Sequence, residues 1–399
     1  MGFRLSRDAD ARFATPRRQH IVKNPFRSLC CSLYVLALAG TVPAATAAEI
    51  VIGQVAPFTG TLAPTGNDVK LGIQAYFARV NAEGGVRGNT LRLVSRDDGY
   101  KVEDTLKQTT ELIERDAPVA LIGFVGTGNV DALLKAGTLD RAGMAPLGVR
   151  SGASALRTPV PARVFHTRAS YAAEVNTIVQ QMGIMGIKRV AVFHQDDPFG
   201  EDGLKAAQAA LSKAGLELVS TGGYEKGTAN VAAAAGKIAA ATPDGVIMVS
   251  NTAASAAFVK DMRERGSSAM LIALSVTAGQ QVAEKIGNTL AHGLGVVQVV
   301  PKPQSISLAV TRQLDEDLKR LDSKSSANHT VLEGYVMAKV LVEGIMRAGE
   351  PTPSRILAAL NGLGTYDAGG VTIRYAQNDH AGSDYTDISI LDRNGRLIR

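Results

Sequence analysis

The sequence predicts an α/β protein of two lobes, each a mainly parallel sheet flanked by helices, with a cleft between them. Three observations predict it. Short β-branched runs alternate with helical patterns from Glu49 onward, which is the signature of parallel strands joined by crossover helices. The alternation restarts after "SGASALRTPVPARVF", so there are two such series. A third stretch near "HGLGVVQVVPKP" leads into further helices and a β-rich tail, so more than one segment joins the lobes.

The elements follow in order. "EIVIGQV" is a strand, and Val69, Ile73, Phe77 and Val80 then recur at the spacing of one helix face. Glycines in "NAEGGVRGN" end that helix, and "TLRLVSRDD" is the next strand. A helix over 102–115, the strand in "PVALIGFVG", a helix over 129–142 and the strand "MAPLGV" complete the first series. In the second, "KRVAVFHQD", "LELVSTGGY", "DGVIMVS" and "AMLIALS" are strands, with helices over 199–214, 230–241 and 252–265. The last region contains a helix from Val331 to Met346, and "GGVTIRY" and "TDISILDRNGRLIR" suggest a hairpin or paired strands. The boundaries expected are a leader over 1–48, lobe 1 over 49–168 plus 299–380, and lobe 2 over 169–298 plus 381–399.

Composition narrows the function classes. The chain has 399 residues, 45% apolar and 20% charged, with no tryptophan. Its formal charge of +6 is misleading, because residues 1–48 hold seven of the 43 Lys and Arg but two of the 37 Asp and Glu. The remainder carries 36 basic against 35 acidic groups, which removes the electrostatic case for nucleic acid.

The basic leader reads as an export signal. Arg17, Arg18, Lys23 and Arg27 precede the apolar run "LCCSLYVLALAG", and "AATAAE" supplies small residues for a signal peptidase. Cleavage is expected after Ala47 or Ala48, against the alternative of an uncleaved anchor. Cys30 and Cys31 are the cysteines of the chain and both lie in this leader. They precede most of the apolar run instead of following it, so a soluble periplasmic protein without thiol or disulfide is expected.

Catalytic and cofactor motifs fail in turn. The Gly/Pro-rich "GQVAPFTGTLAPTG" lacks the G-K-[ST] ending of a phosphate loop, and neither "GFVGTGN" nor "NGLGTYDAGG" fulfils G-x-G-x-x-G. No G-x-S-x-G elbow occurs. The histidines at 166, 194, 292, 329 and 380 have no metal-ligand spacing, so no metal or cofactor is expected. Asp97–Asp98 and Asp196–Asp197 each follow a strand, where turn and cap carboxylates are common. They leave a hydrolase as a remote alternative.

What remains is a repeated strand-to-helix geometry. "ALIGF" leads into Gly126, Thr127, Gly128 and Asn129; "VIMV" into Ser250, Asn251 and Thr252; "PLGV", with Gly148, into Arg150 and Ser151. Unpaired N–H groups at helix N-termini beside hydroxyls can hold a carboxylate without a metal. Thr127 and Ser151 are equally suited to cap helices, and the two roles are compatible. Arg150 either faces the cleft, favouring an anion, or points into solvent.

The stretch "GQVAPFTGTLAPTGNDVKLGIQAYFARVNAEGGVRGNTLRLVSRDDG", with "HQDDPFGEDG", "TGGYEKGTANV" and "GLGVVQVVPKP", resembles the periplasmic binding proteins of branched-chain amino-acid uptake over nearly all of the mature chain. That resemblance implies a type I periplasmic binding protein fold, a monomer that closes on a small molecule and passes it to an inner-membrane ABC permease with a cytoplasmic ATPase. A periplasmic sensor of the same fold is the alternative. It places Thr127 and the backbone of Gly126 at the ligand carboxylate, with Ser151 near the second carboxylate-binding hydroxyl, within a residue or two. Thr65 falls where an aromatic is common, and Phe199 matches an aromatic that closes over the ligand. Asn251 stands where the family has a tyrosine, and Ser275 where it has the acidic partner of the ligand ammonium. The carboxylate end of the site is kept and the amine end is lost, so an organic acid is expected in preference to a free amino acid.

Overall fold

The computed structural model describes residues 48–157, 164–322 and 324–398; the expected leader lies outside them up to residue 47. The first series comprises β1 (Glu49–Ala56), α1 (Ala63–Ala82), β2 (Thr90–Asp97), α2 (Val102–Asp116), β3 (Ala120–Ile122), α3 (Thr127–Lys135), α4 (Thr138–Arg141) and β4 (Pro146–Leu147). Its sheet is wholly parallel, in the order β2-β1-β3-β4. The expected helix over 129–142 is two helices. Gly137 stands between them at φ 67°, a left-handed conformation that ends α3 and starts α4.

The second series comprises α5 (Tyr171–Ile184), β5 (Arg189–Asp196), α6 (Pro198–Ala214), β6 (Glu217–Glu225), α7 (Ala232–Ala240), β7 (Gly245–Val249), α8 (Thr252–Glu264), β8 (Met270–Ala273), α9 (Gly279–Ile286), α10 (Asn288–Ala291) and β9 (Gly295–Gln298). The chain then returns to the first sheet as α11 (Ala309–Leu321), α12 (His329–Ala348) and α13 (Pro353–Asn361). The β-rich tail does not pair with itself as one hairpin. β10 (Gly364–Asp367), β11 (Thr372–Ala376) and β12 (Asp379–Gly382) form a small antiparallel sheet against the first core, whereas β13 (Asp387–Leu391) and β14 (Leu397–Ile398) extend the second sheet. That second sheet has the order β14-β13-β9-β8-β7-β5-β6, antiparallel where β13 meets β9 and parallel from β9 to β6.

Local chemistry sets the helix starts. Asp197 caps α6 by accepting from the N–H groups of Phe199 and Gly200 at 3.0 and 3.2 Å, with Pro198 in the first turn. Asn251 caps α8 in the same way, from Ala253 and Ala254 at 3.0 and 3.2 Å. α12 is buried on nearly every face from Thr330 to Ile345, and its sequence is largely apolar there, with Glu333 and Lys339 buried among the apolar residues. It lies against α1 so closely that a Cβ on Gly72 would sit 2.0 Å from the Val331 carbonyl oxygen, and one on Gly334 2.2 Å from that of Val69. Two glycines facing each other's backbone fix this helix pair, which carries the loop after β1 toward the ends of β3 and β4.

In both sheets the order reverses beside a central strand, between β1 and β3 and between β5 and β7. Ligands of open α/β sheets bind beyond the carboxyl ends of strands at such reversals.

Candidate functional site

The loops after β1, β3, β4, β5, β7 and β8 converge at that place. The loop after β1 is held by Asp97, whose carboxylate accepts from the N–H groups of Phe58, Thr59 and Gly99 at 2.7, 3.2 and 3.0 Å and from the Thr59 hydroxyl at 2.6 Å. Partial burial pushes this carboxyl up, but the bonds from Thr59, Gly99 and Phe58 outweigh it and hold it below its usual range. Asp98 turns the other way and accepts from the Tyr100 N–H at 2.9 Å and the Thr105 hydroxyl at 2.7 Å. Both acidic pairs named as alternatives therefore contribute turn and cap carboxylates, through Asp97, Asp98 and Asp197.

After β3 the chain passes through Gly126 at φ 103° and enters α3 at Thr127. No side chain caps this helix. The Thr127 hydroxyl lies 2.8 Å from that of Ser151, both buried, and Ser151 also accepts from the Ala153 N–H at 3.2 Å. Thr65, Gly126, Thr127, Arg150, Phe199 and Asn251 line one cavity, together with Leu62, Tyr100, Val125, Tyr171 and Val276. Its volume is about 30 Å³, so its walls stand nearly against one another. The Tyr171 and Phe199 rings meet at 5.1 Å between centroids. None of these lining residues is acidic. A larger hollow of about 950 Å³, reached by Lys302, Ile306, His329 and Arg396, shares no residue with this cavity and lies along the 298–308 crossing. The smaller cavity is the candidate site, because residues after β1, β3, β4, β5, β7 and β8 line it together with Thr127.

Three expected residues stand elsewhere. Ser151 is directly behind Thr127 rather than on the wall. Gly148 has φ 68°, donates to the Phe165 carbonyl at 2.7 Å and leaves room for Met337, whose Cγ a Cβ would approach to 2.3 Å; it serves packing beneath the site. Ser275 is turned away, its hydroxyl bonded to Arg168 and its N–H donating to the Glu174 carboxylate at 2.8 Å. Asn251 is on the wall, but its amide is also engaged, donating to Gln195 Oε1 and the Tyr224 hydroxyl at 3.2 Å each. Tyr100 and Tyr171 were not legible as site residues: only the "DDGY" turn singles out the first, and nothing local the second.

Beneath the cavity lies a buried ionic cluster. Arg150, 2% exposed, donates from Nη1 to Glu333 and from Nη2 to the Ser275 carbonyl at 3.1 Å. Arg168, fully buried, pairs with Glu174 at 3.1 Å and with the other oxygen of Glu333 at 3.3 Å. Burial pushes the Glu174 carboxyl up, against the pull of Arg168 and the Ser275 N–H. Arg150 is therefore not solvated: it lines the cavity, while its Nη1 and Nη2 point to Glu333 and the Ser275 carbonyl. Its Nε is buried without a partner.

Contacts also bridge the parts built on the two sheets. Lys226 donates to Asn129 Oδ1 at 2.8 Å and lies 4.3 Å over the Tyr100 ring, while Gln195 donates to the Tyr100 hydroxyl at 3.2 Å. The Ser154 N–H reaches Asp202 at 2.9 Å and Gln281 reaches Asp68 at 3.2 Å.

Comparison with known proteins agrees with this architecture. The profile of a periplasmic binding protein family matches residues 49–395. A substrate-binding periplasmic protein from Ralstonia solanacearum is 32% identical, with a TM-score of 0.83 over 88% of this chain and 99% of that one. Among curated relatives, an amino acid binding protein of Pseudomonas aeruginosa is 24% identical over 60% of this chain and 64% of that protein. The Leu/Ile/Val-binding protein homolog 7 of Brucella suis is 23% identical over 85% of this chain and 86% of its own length. More distant structures share the fold, among them a Thermus thermophilus branched-chain amino acid transporter protein with bound valine (19%, TM-score 0.78, covering 88% and 95% of the two chains). A solute binding protein from R. palustris in complex with benzoate (18%, 0.77, with the same coverage) is another. A parallel two-sheet architecture, a cavity at the strand ends and a family match across residues 49–395 lead to one conclusion: the chain belongs to the periplasmic binding protein family, as a substrate-binding protein of the branched-chain amino-acid type.

Proposed function

We propose that this protein captures a small organic acid lacking an α-amine and delivers it to an inner-membrane ABC permease with its cytoplasmic ATPase. It does so as a soluble periplasmic protein freed of a leader over 1–48. Lobe 1, 49–168 plus 299–380, and lobe 2, 169–298 plus 381–399, close on the ligand. Binding energy from contacts with both lobes favours the closed form.

One observation carries this reading: the Thr127 hydroxyl stands on the cavity wall at the uncapped N-terminus of α3, backed by Ser151 and beside Arg150, with no acidic residue in the lining. A carboxylate there receives the Thr127 hydroxyl, the helix-end N–H groups and a guanidinium. An ammonium there meets no counter-charge, and an uncompensated buried cation is costly. Leu62, Val125, Tyr171, Phe199 and Val276 suit an aromatic or branched aliphatic remainder. Micromolar affinity, about −8 kcal/mol, is within reach of such contacts. Fold neighbours hold both valine and benzoate, so ligand class follows the wall and not the fold.

The test is a thermal-shift screen of the mature protein against amino acids, aliphatic and aromatic acids, amides and polyols. A bound ligand raises the melting temperature by mass action. Stabilisation by carboxylic acids and not by their amides supports the reading; stabilisation by polyols or amides alone overturns it.

A further inference from the structure

We propose that Arg150 selects the charge class of the ligand: its guanidinium fills the acceptors that a ligand ammonium would need, and Glu333 behind it is a latent ammonium site. The inference rests on the reading that the Thr127–Ser151 pair holds a carboxylate, and it assigns the neighbouring subsite.

The carboxylates next to that end of the cavity are already matched by cations of the protein, although Glu333 Oε2 faces Arg168 only as an ion pair at 3.3 Å and makes no hydrogen bond. Arg150 Nη1 donates to one oxygen of Glu333, and Nη2 donates across to the Ser275 carbonyl at 3.1 Å. Arg168 Nη1 stands 3.3 Å from the other Glu333 oxygen, and its Nη2 reaches the Ser275 hydroxyl and, at 3.1 Å, Glu174. The second Glu174 oxygen receives the Ser275 N–H at 2.8 Å. Two guanidinium groups and two carboxylates balance in this cluster, so a third cation would arrive with no uncompensated negative charge to meet. A carboxylate arriving from the cavity meets a different situation. Arg150 is 2% exposed, lines the cavity, and has one donor, Nε, without a partner. A buried donor left unsatisfied is costly, and a ligand oxygen would relieve it.

Truncating Arg150 reverses the logic. The cluster is left with one excess negative charge, and the space vacated leads from the cavity to Glu333 and the Ser275 carbonyl. Arg168 still pairs with Glu333 at 3.3 Å, so the carboxylate is not abandoned in the core. An α-amino acid with its carboxylate at Thr127 can then place its ammonium on Glu333. No acceptor had to be created; it was covered.

The experiment is isothermal calorimetry on full-length mature protein with two matched pairs, 4-methylpentanoate against leucine and 3-phenylpropanoate against phenylalanine. The proteins are wild type, Arg150→Ala, Arg150→Gln, Arg150→Lys and the double variant Arg150→Ala/Glu333→Gln. The wild type and Arg150→Lys should favour the acid. Arg150→Ala should move the acid-to-amino-acid affinity ratio at least tenfold toward the amino acid, and Arg150→Gln, which keeps length and hydrogen bonding, in the same direction by less. The double variant should lose that gain. An unchanged ratio in Arg150→Ala, or in Arg150→Gln if the alanine variant does not fold, overturns the assignment of Arg150 while leaving the carboxylate reading intact. A gain that survives Glu333→Gln overturns the latent site. A wild type that binds no member of either pair defeats the functional reading itself, and this assignment with it.

Discussion

The hydroxyls of Thr127 and Ser151 lie 2.8 Å apart, one at the first position of α3 and the other just beyond β4, joining two strand ends 24 residues apart in sequence. One hydroxyl donates to the other, so the pair keeps one rotatable proton that can turn toward an incoming carboxylate without moving the backbone. Thr127→Val keeps the shape of the side chain and removes one donor. Binding of the acid should weaken by about 1–3 kcal/mol, the range for a hydrogen bond to a charged group. Without ligand the protein should lose only about 1 kcal/mol, because Ser151 keeps the Ala153 N–H at 3.2 Å. Calorimetry and urea denaturation separate the two effects; unchanged affinity would reduce Thr127 to a helix start.

Ser275→Glu looks in the sequence like a restoration of an ammonium partner, and the structure argues against that outcome. The Ser275 hydroxyl is bonded to Arg168 and its N–H to Glu174 at 2.8 Å, away from the cavity wall. A glutamate would bring a third carboxylate to a cluster whose cations are already paired. The expected result is a loss of about 3–5 kcal/mol in stability, as for breaking a buried ion pair. No gain in leucine affinity should accompany it. Denaturation midpoints and a leucine titration check both parts, and a stable leucine-binding variant would contradict the cluster described.

Legibility followed sequence distance. The alternation of strands and helices was readable because each element's apolar spacing is local; the strand–Gly–Thr–helix run singled out Thr127 in the same local way, whereas Phe199 was singled out only by the family resemblance. The break at Gly137 was missed because its decisive feature is one positive φ, which an apolar pattern does not report. Arg150 was readable as a residue but its partner was not: Glu333 lies 183 positions away near the start of a largely apolar helix, and no local pattern pairs the two. Ser275 was misplaced by one step, since its neighbour Val276 is the residue on the wall. Loop register at the end of β8 depends on the ion pairs underneath it, which no local pattern reports.

His329 gives the acid side of the stability profile. Burial, with Lys302 and Arg150 nearby, pushes its imidazole down from 6.5 to about 4, and burial beside Arg157 pushes His166 down as well. A base whose pKa is depressed by folding binds protons more readily when unfolded. Its stabilisation is therefore complete above pH 6.5 and lost as pH falls toward about 4. For His329 the full swing is about 3 kcal/mol. The raised carboxyls of Asp68 and Glu174 act in the opposite sense, losing their contribution as pH rises through their folded values. His329→Gln should flatten the drop in urea stability between pH 7 and pH 4 by about 3 kcal/mol. An identical slope in wild type and variant would mean that folding does not depress the imidazole.

Lys226 offers a test of closure that does not touch the proposed carboxylate contacts. Its ammonium leaves the end of β6, donates to Asn129 Oδ1 at 2.8 Å in α3 and lies 4.3 Å over the Tyr100 ring. Asn129 is held in turn, its amide donating to the Thr105 hydroxyl at 2.8 Å, so the acceptor is fixed before the lysine arrives. Burial pushes the Lys226 ammonium down, with Asp197 and Asp98 opposing, which is the electrostatic mark of a charge taken out of water by this contact. If the two sheets separate when the ligand leaves, the contact exists in only one of the two states, and its energy shifts their populations. Lys226→Met should therefore weaken ligand binding by about 1–2 kcal/mol, five- to thirtyfold, although the residue lies off the cavity wall. X-ray scattering of the ligand-free variant should show a radius of gyration at or above that of the wild type, and the ligand should still contract it. Equal affinity would mean that closure draws nothing from this bridge, and that ligand contacts alone hold the two halves together.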